Sequence, residues 1–364
     1  MKAPMKSNVF RSFPALLSRG VFAAVALAMA GSVRADNIDD ALTHATQFIL
    51  SHQDQAGAFS EQQKGMRNQT AMSSLSVLAL AAMGHQPGDE SPEGHAMRKA
   101  LAYVLRPDGQ DSDGYFGSAD GSKMYGHGIT TLMLSEMLGM GTDAAQDDLI
   151  RQKVRKAIDL ILRAQKVPKS DANRGGWRYQ PDAGDSDMSV TVWQTMALRS
   201  AKNSGMDVPR EAIDDAVRYI KRGYDPEGDA HHLAESGGFG YMGRGRELST
   251  TAEGLLALQV CGEYEAEEVK GASERLLKAG PIKQGERWYF YLTYYYATGM
   301  YQRGGKYADE AKRNVADNLI PLQSRDGSWE GTGGEERQGG KIYATCLAVL
   351  SLAVKYHYLP IYQR

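Results

Sequence analysis

Met72-Ser-Ser-Leu-Ser-Val-Leu-Ala-Leu-Ala-Ala-Met83 runs for twelve residues without a charge. Ala, Leu and Met are strong helix formers, and the alternation of β-branched residues that marks a strand is missing, so the run predicts a helix. Its apolar and small residues cover every face. A helix of that kind must be buried on all sides. Similar, largely apolar runs return at Val190–Leu198, Ala252–Val260 and Ala344–Val354.

Each of these runs follows an amphipathic segment and a polar, glycine-rich loop. Ala41, Ala45, Phe48, Ile49 and His52 fall on one helical face, with Asp39, Asp40 and Thr43 elsewhere. Ile158–Leu162, Ala212–Ile220 and Ala311–Leu319 hold the same place in later copies. The loops carry a glycine and an aromatic: Gly57-Ala-Phe59, Gly114-Tyr-Phe116, Gly176-Trp177, Gly238-Phe239 and Gly327-Ser-Trp329, with the knot Trp288-Tyr-Phe-Tyr291 in the remaining gap. The aromatics recur every 41 to 62 residues, as in a repeat architecture. The expectation is an all-α fold of six outer/inner helix pairs with no strands. A closed ring is expected over an open solenoid, because the inner helices are too apolar to line an open concave face.

The chain has 364 residues, 42% apolar and 24% charged, which excludes a disordered or polytopic membrane protein. Lys2, Lys6, Arg11 and Arg19 accompany the short apolar stretch Gly20–Ala30, and Val33-Arg34-Ala35 has small residues at the two positions a signal peptidase reads. An apolar span of about 14 residues falls short of the ~20 that cross a bilayer. A signal peptide over 1–35 and a single exported domain over 36–364, periplasmic or extracellular and bacterial, are therefore expected. The formal net charge is −2; losing Lys2, Lys6, Arg11, Arg19 and Arg34 leaves 37 bases against 44 acids, or −7. Such a charge gives no reason to expect a nucleic-acid partner. Membrane association and oligomeric state are left open. Cys261 and Cys346 sit in different inner helices and are expected as free thiols.

Gln53, Gly57 and Phe59, together with Gln323-Ser-Arg-Asp-Gly327-Ser-Trp329, resemble the QW-type repeat of the squalene/terpene cyclase and prenyltransferase family. Leu160-Ile161 and Gln165 start a third copy, which an insertion separates from Gly176-Trp177. The chain after the signal is similar to exported squalene-cyclase-like proteins of bacteria, above all at Gly175-Gly-Trp-Arg-Tyr179, at Gly184-Asp-Ser-Asp187 and from Tyr343 to Tyr358-Leu-Pro360. The resemblance implies an (α/α)6 toroid whose inner helices surround a central funnel. The glutamines also have a physical reading: an amide at a helix end satisfies orphan backbone groups while the aromatic covers it. That makes Gln53, Phe59, Gln323 and Trp329 staples.

Cyclases of this family protonate an alkene with the middle acid of a D-x-D-D-T motif. In Gly184-Asp-Ser-Asp-Met-Ser-Val190 the resemblance assigns Asp185 and Asp187 to the first and middle acids, with Asp187 as proton donor; Met188 replaces the last acid and Ser189 stands for Thr. The same residues also read as an N-cap before an apolar helix. The zinc-dependent prenyltransferase branch fits poorly. Thr and Ala occupy its Asp and Cys places within Leu248–Ala252, Ala344 stands for its His, and none of these is a zinc ligand. No metal and no cofactor are expected. Trp288, Tyr291 and Tyr295 share a helical face suited to stabilising a cation or stacking on a sugar. Trp177, Tyr179 and His127 are further substrate-binding candidates, with Arg178 beside them. His231-His232 with Asp229 and Glu235 resembles a metal pair only superficially, since adjacent histidines diverge. Three functions compete: an acid-initiated isoprenoid cyclase-like enzyme, a toroid that binds or cleaves glycans, and a non-catalytic binding scaffold. The ligand is correspondingly a hydrophobic or glycan small molecule.

Overall fold

The computed structural model describes residues 37–61, 68–226 and 237–363. The chain divides into two units, 1–40 and 41–364. Of the first, residues 37–40 are described and are helical, while the signal expected over 1–35 lies outside the described residues.

In the second unit, outer and inner helices alternate along the chain. The outer helices are α1 (37–51, in this unit from Ala41), α3 (Pro92–Val104), α5 (Ala144–Gln165), α7 (Arg210–Arg222), α9 (Glu267–Ala279) and α11 (Gly305–Leu319). The inner helices are α2 (Gln69–Ala82), α4 (Lys123–Glu136), α6 (Met188–Asn203), α8 (Leu248–Val260), α10 (Tyr289–Arg303) and α13 (Gly340–Ala353), and a short α12 (Gly334–Gln338) precedes the last. Burial separates the layers as the sequence requires. Twelve of the fourteen residues of α2 are buried, against five of thirteen in α7. The inner helices pack in order, α2 on α4, then α6, α8, α10 and α13, and α13 returns to α2. The ring is closed.

Buried hydroxyls along the inner helices turn back onto their own backbone. Ser74 donates to the Thr70 carbonyl at 2.8 Å, Thr195 to Thr191 at 2.7 Å and Ser351 to Leu347 at 2.7 Å, which makes a polar side chain tolerable in a dry core.

The repeat loops hold the outer layer together. Gln53 Nε2 donates to the Gly57 carbonyl at 3.0 Å and, across to the next outer helix, to the Ala96 carbonyl at 2.8 Å. Gln110 does the same to Gly114 and Lys153, Gln165 to Gly175 and Ala212, and Gln323 to Gly327 and Ala41. The last of these joins the end of the ring to its beginning. The loop glycine completes the fit: Gly57 has φ of +94°, and a Cβ there would run into the Lys99 carbonyl, one turn past Ala96. The loop aromatic then donates its backbone N–H to the next inner helix. Phe59 reaches Ser73, Trp177 Thr191, Phe239 Thr251 and Trp329 Thr345, all at 3.0 Å, and Phe116 reaches His127 Nδ1 at 3.3 Å.

The expectation of no strands needs one correction. Tyr224–Pro226 (β1) and Gly237–Phe239 (β2) form a short antiparallel ribbon in the fourth repeat, with Tyr224 opposite Phe239. Tyr224 takes the place of the glutamine there. Its hydroxyl abuts Gly271 of α9, and its ring meets Phe239 edge-on at 5.2 Å.

Gln165→Ala removes two charge-free hydrogen bonds and leaves two buried carbonyls unanswered. We expect it to lower the unfolding free energy by about 1–3 kcal/mol, read from urea titrations followed by circular dichroism. An unchanged midpoint would remove the staple from the account of stability.

Candidate functional site

The six inner helices surround one chamber of about 1210 Å³, above the ~300–1,000 Å³ of ordinary ligand pockets. Each helix contributes from its N-terminal half: Met72 and Leu75 from α2, Tyr125 and Ile129 from α4, Ser189 and Trp193 from α6, Leu248 and Glu253 from α8, Tyr291 and Leu292 from α10, and Tyr343 and Leu347 from α13. Tyr179, Tyr241 and Trp288 join the wall from the loops. Below it, Trp193 stacks on Tyr294 at 6.0 Å, and the Tyr294 hydroxyl pairs with that of Tyr362 from the C-terminal turn.

Several rim acids are committed to the helix ends they face. Asp120 accepts from Ala71 N at 3.1 Å, Asp187 from Val190 N at 2.8 Å, Glu336 from Phe290 N at 2.7 Å and Glu61 from Ile342 N at 2.6 Å. These contacts satisfy orphan donors and oppose the positive end of each helix dipole.

Asp187 is thus the N-cap of α6. It is 0% exposed, and its other oxygen pairs with Arg178 at 3.1 Å. Burial pushes its carboxyl up to about 6, against the pull of the Val190 N–H, Arg178 and the Tyr241 hydroxyl. Asp185 pairs with the same guanidinium at 3.4 Å and is half exposed. Neither aspartate is in the chamber wall.

Trp177 and His127 are likewise outside the chamber wall. Trp177 is 1% exposed and its Nε1 donates to the Ile161 carbonyl at 2.8 Å. His127 lies between Phe116 N and the Ala157 carbonyl, and burial lowers its imidazole to about 4, so it stays neutral. Both are spent on repeat packing. Tyr179, Trp288 and Tyr291 do line the chamber, whereas Tyr295 is fully buried behind Tyr291, their rings edge-on at 4.9 Å. His231, His232, Asp229 and Glu235 lie outside the described residues. Among the described residues, no three His, Cys, Asp or Glu side chains are grouped to hold a metal ion, and no helix is long and apolar enough to cross a membrane. Cys261 and Cys346 are free thiols, each pushed up to about 12 by burial.

The residue that sequence reasoning passed over is Glu253. Among the described residues it is the one buried carboxyl in the chamber lining, 1% exposed. Burial holds its carboxyl well above the usual range; the nearby charge of Asp187 adds to the effect, and a hydrogen bond with the Ser189 side chain works against it. Its Oε2 has no hydrogen-bond partner. Tyr125, Tyr291, Tyr295 and Tyr343 stand within electrostatic reach, and burial raises all four phenols. The signal was present in the sequence: one acid inside Leu248–Val260, a helix otherwise free of charge.

A family model, the prenyltransferase alpha-alpha toroid domain, matches residues 14–170 and 274–363. The chain belongs to this toroid family. No curated protein matches it. Solved structures share the toroid at low identity. An alpha-1,6-mannanase of a Salegentibacter species superposes with a TM-score of 0.60 at 11% identity, over 88% of this chain and 99% of that one. Cellobiose 2-epimerase from Bacillus thermoamylovorans gives 0.61 at 12%, over 89% and 100%. A type II terpene cyclase from Scytonema gives 0.51 at 14%, over 87% and 97%. At these identities the likeness is one of fold.

Because Asp187 has a folded pKa near 6, above the ~3.9 of an unfolded aspartate, its ionisation opposes folding. Its favourable contribution is complete below about pH 4 and is lost as pH rises through about 6. We expect the wild-type protein to lose stability over that window relative to Asp187→Asn, in denaturant titrations at stepped pH. Parallel curves would contradict the assignment.

Proposed function

We propose that the protein is an acid catalyst acting on an apolar, isoprenoid-type small molecule enclosed in the central chamber, with Glu253 as proton donor. One observation carries this reading: a buried carboxyl, whose surroundings favour its acid form, sits in a tyrosine-lined wall. A neutral acid at working pH can deliver a proton to a carbon–carbon double bond, and the surrounding rings stabilise the cation that results. Asp187 takes a supporting part: it caps the helix that carries Ser189, and its charge adds a smaller push to the burial that raises Glu253. The export signal read in residues 1–35 would place this chemistry outside the cytoplasm.

Glycan cleavage draws support from the mannanase and epimerase folds. It calls for two carboxyls flanking a sugar; Glu61, Glu247, Glu286 and Glu335 also line the chamber, but Glu253 is the one of the five that is buried.

The test is incubation with linear polyprenyl hydrocarbons and alcohols in D₂O, with mass spectrometry of the products. Deuterium should enter the product, and Glu253→Gln should lower its incorporation at least about 100-fold. Since burial raises Glu253, the rate should decline at a higher pH than the ordinary glutamate range would give. Incorporation unaffected by Glu253→Gln, or a rate that collapses as pH rises past 4, would refute the assignment.

A further inference from the structure

Beyond α13 the chain crosses the base of the ring. His357 packs its imidazole on Tyr301 of α10, with ring centroids 4.6 Å apart. Tyr358 lies so close to Gly84, just past the end of α2, that a Cβ there would strike its ring. The chain then sinks inward: Leu359 and Ile361 are buried, and the turn Pro360–Tyr362 packs on α6. Under the chamber floor the Tyr362 hydroxyl meets that of Tyr294 from α10.

This crossing is held by a carboxyl for which the proposed chemistry has no use. Glu136, the last residue of α4, is 4% exposed. One of its oxygens accepts from the Ser200 hydroxyl of α6, and the other from Ile361 N–H at 3.3 Å, so a single side chain ties two inner helices to the C-terminal turn. Tyr294 and Tyr362 stand within its electrostatic reach. None of these groups is a cation, and among the described residues α2 and α5, also packed on α4, contribute no charge that acts on it. A carboxylate formed here would be buried without a counter-charge, whereas letting go of the turn would return it to water.

We propose that the C-terminal segment 357–363 is a strap across the base of the ring, latched by Glu136 in its neutral form and released when that carboxyl ionises. Burial pushes the carboxyl up to about 7, against the pull of the Ser200 and Ile361 hydrogen bonds. A solvated glutamate ionises near ~4.3. The latch is therefore complete below about pH 4 and is lost as pH rises through about 7. It is separate from Glu253, so its release is scored without turnover.

The test is hydrogen exchange of the full chain between pH 5 and 8, read by mass spectrometry on the peptide covering 357–363 and corrected for the intrinsic exchange rate at each pH. Opening of the strap should rise at least about tenfold across that range, while α6 stays protected. Glu136→Gln keeps the shape of the side chain but cannot ionise, and its strap should stay at the low-pH level throughout. Opening that is flat with pH in the wild type, or that rises equally in Glu136→Gln, would overturn the proposal. Should that variant not fold, Tyr362→Phe decides. It keeps Glu136, so the strap should open more at every pH with its pH slope intact; a lost slope would assign the switch to the phenol pair and sink the latch.

Discussion

A single side-chain amide, repeated around the ring, is what the architecture depends on. Each outer helix ends with carbonyls that its own backbone cannot satisfy. A glutamine at that end bonds the following loop glycine and a carbonyl of the next outer helix, so one residue closes a turn and joins two repeats. The glycine beside it exists because the neighbouring helix comes so near that no side chain fits. Once outer helices are held at that spacing, the inner ones have no choice but to converge, and their N-terminal halves enclose the chamber.

Much of this was legible in sequence because it obeys simple periodicities. The charge-free run from Met72 to Met83 could only be an inner helix, and the recurring glycine–aromatic pairs marked the repeats. Gln110 was missed, although Gln110-x₃-Gly114-x-Phe116 has the same spacing as Gln53 to Phe59. The ribbon at Tyr224 was illegible for a better reason: a phenol replaces an amide there, and the substitution makes sense only beside Gly271, 47 residues later in the chain.

The site was harder to read than the fold. Motif reading pointed to Asp187 as acid or helix cap, and the structure shows it capping α6 and paired with Arg178. Glu253 belongs to no motif. Its meaning comes from burial and from tyrosines on three other helices, and those relations exist only after the ring has closed. His127 teaches the converse. It looked chemical, yet it fills the position that serine or threonine fills in four other repeats, and burial keeps its ring uncharged.

The bond from Gln323 to Ala41 spans 282 residues of chain, whereas the glutamine bonds inside the ring span about 43 to 47. Neighbouring hairpins can therefore dock as soon as they are synthesised, while this one seam must wait for the final repeat to emerge. Until then the first helix presents an apolar flank with no mate.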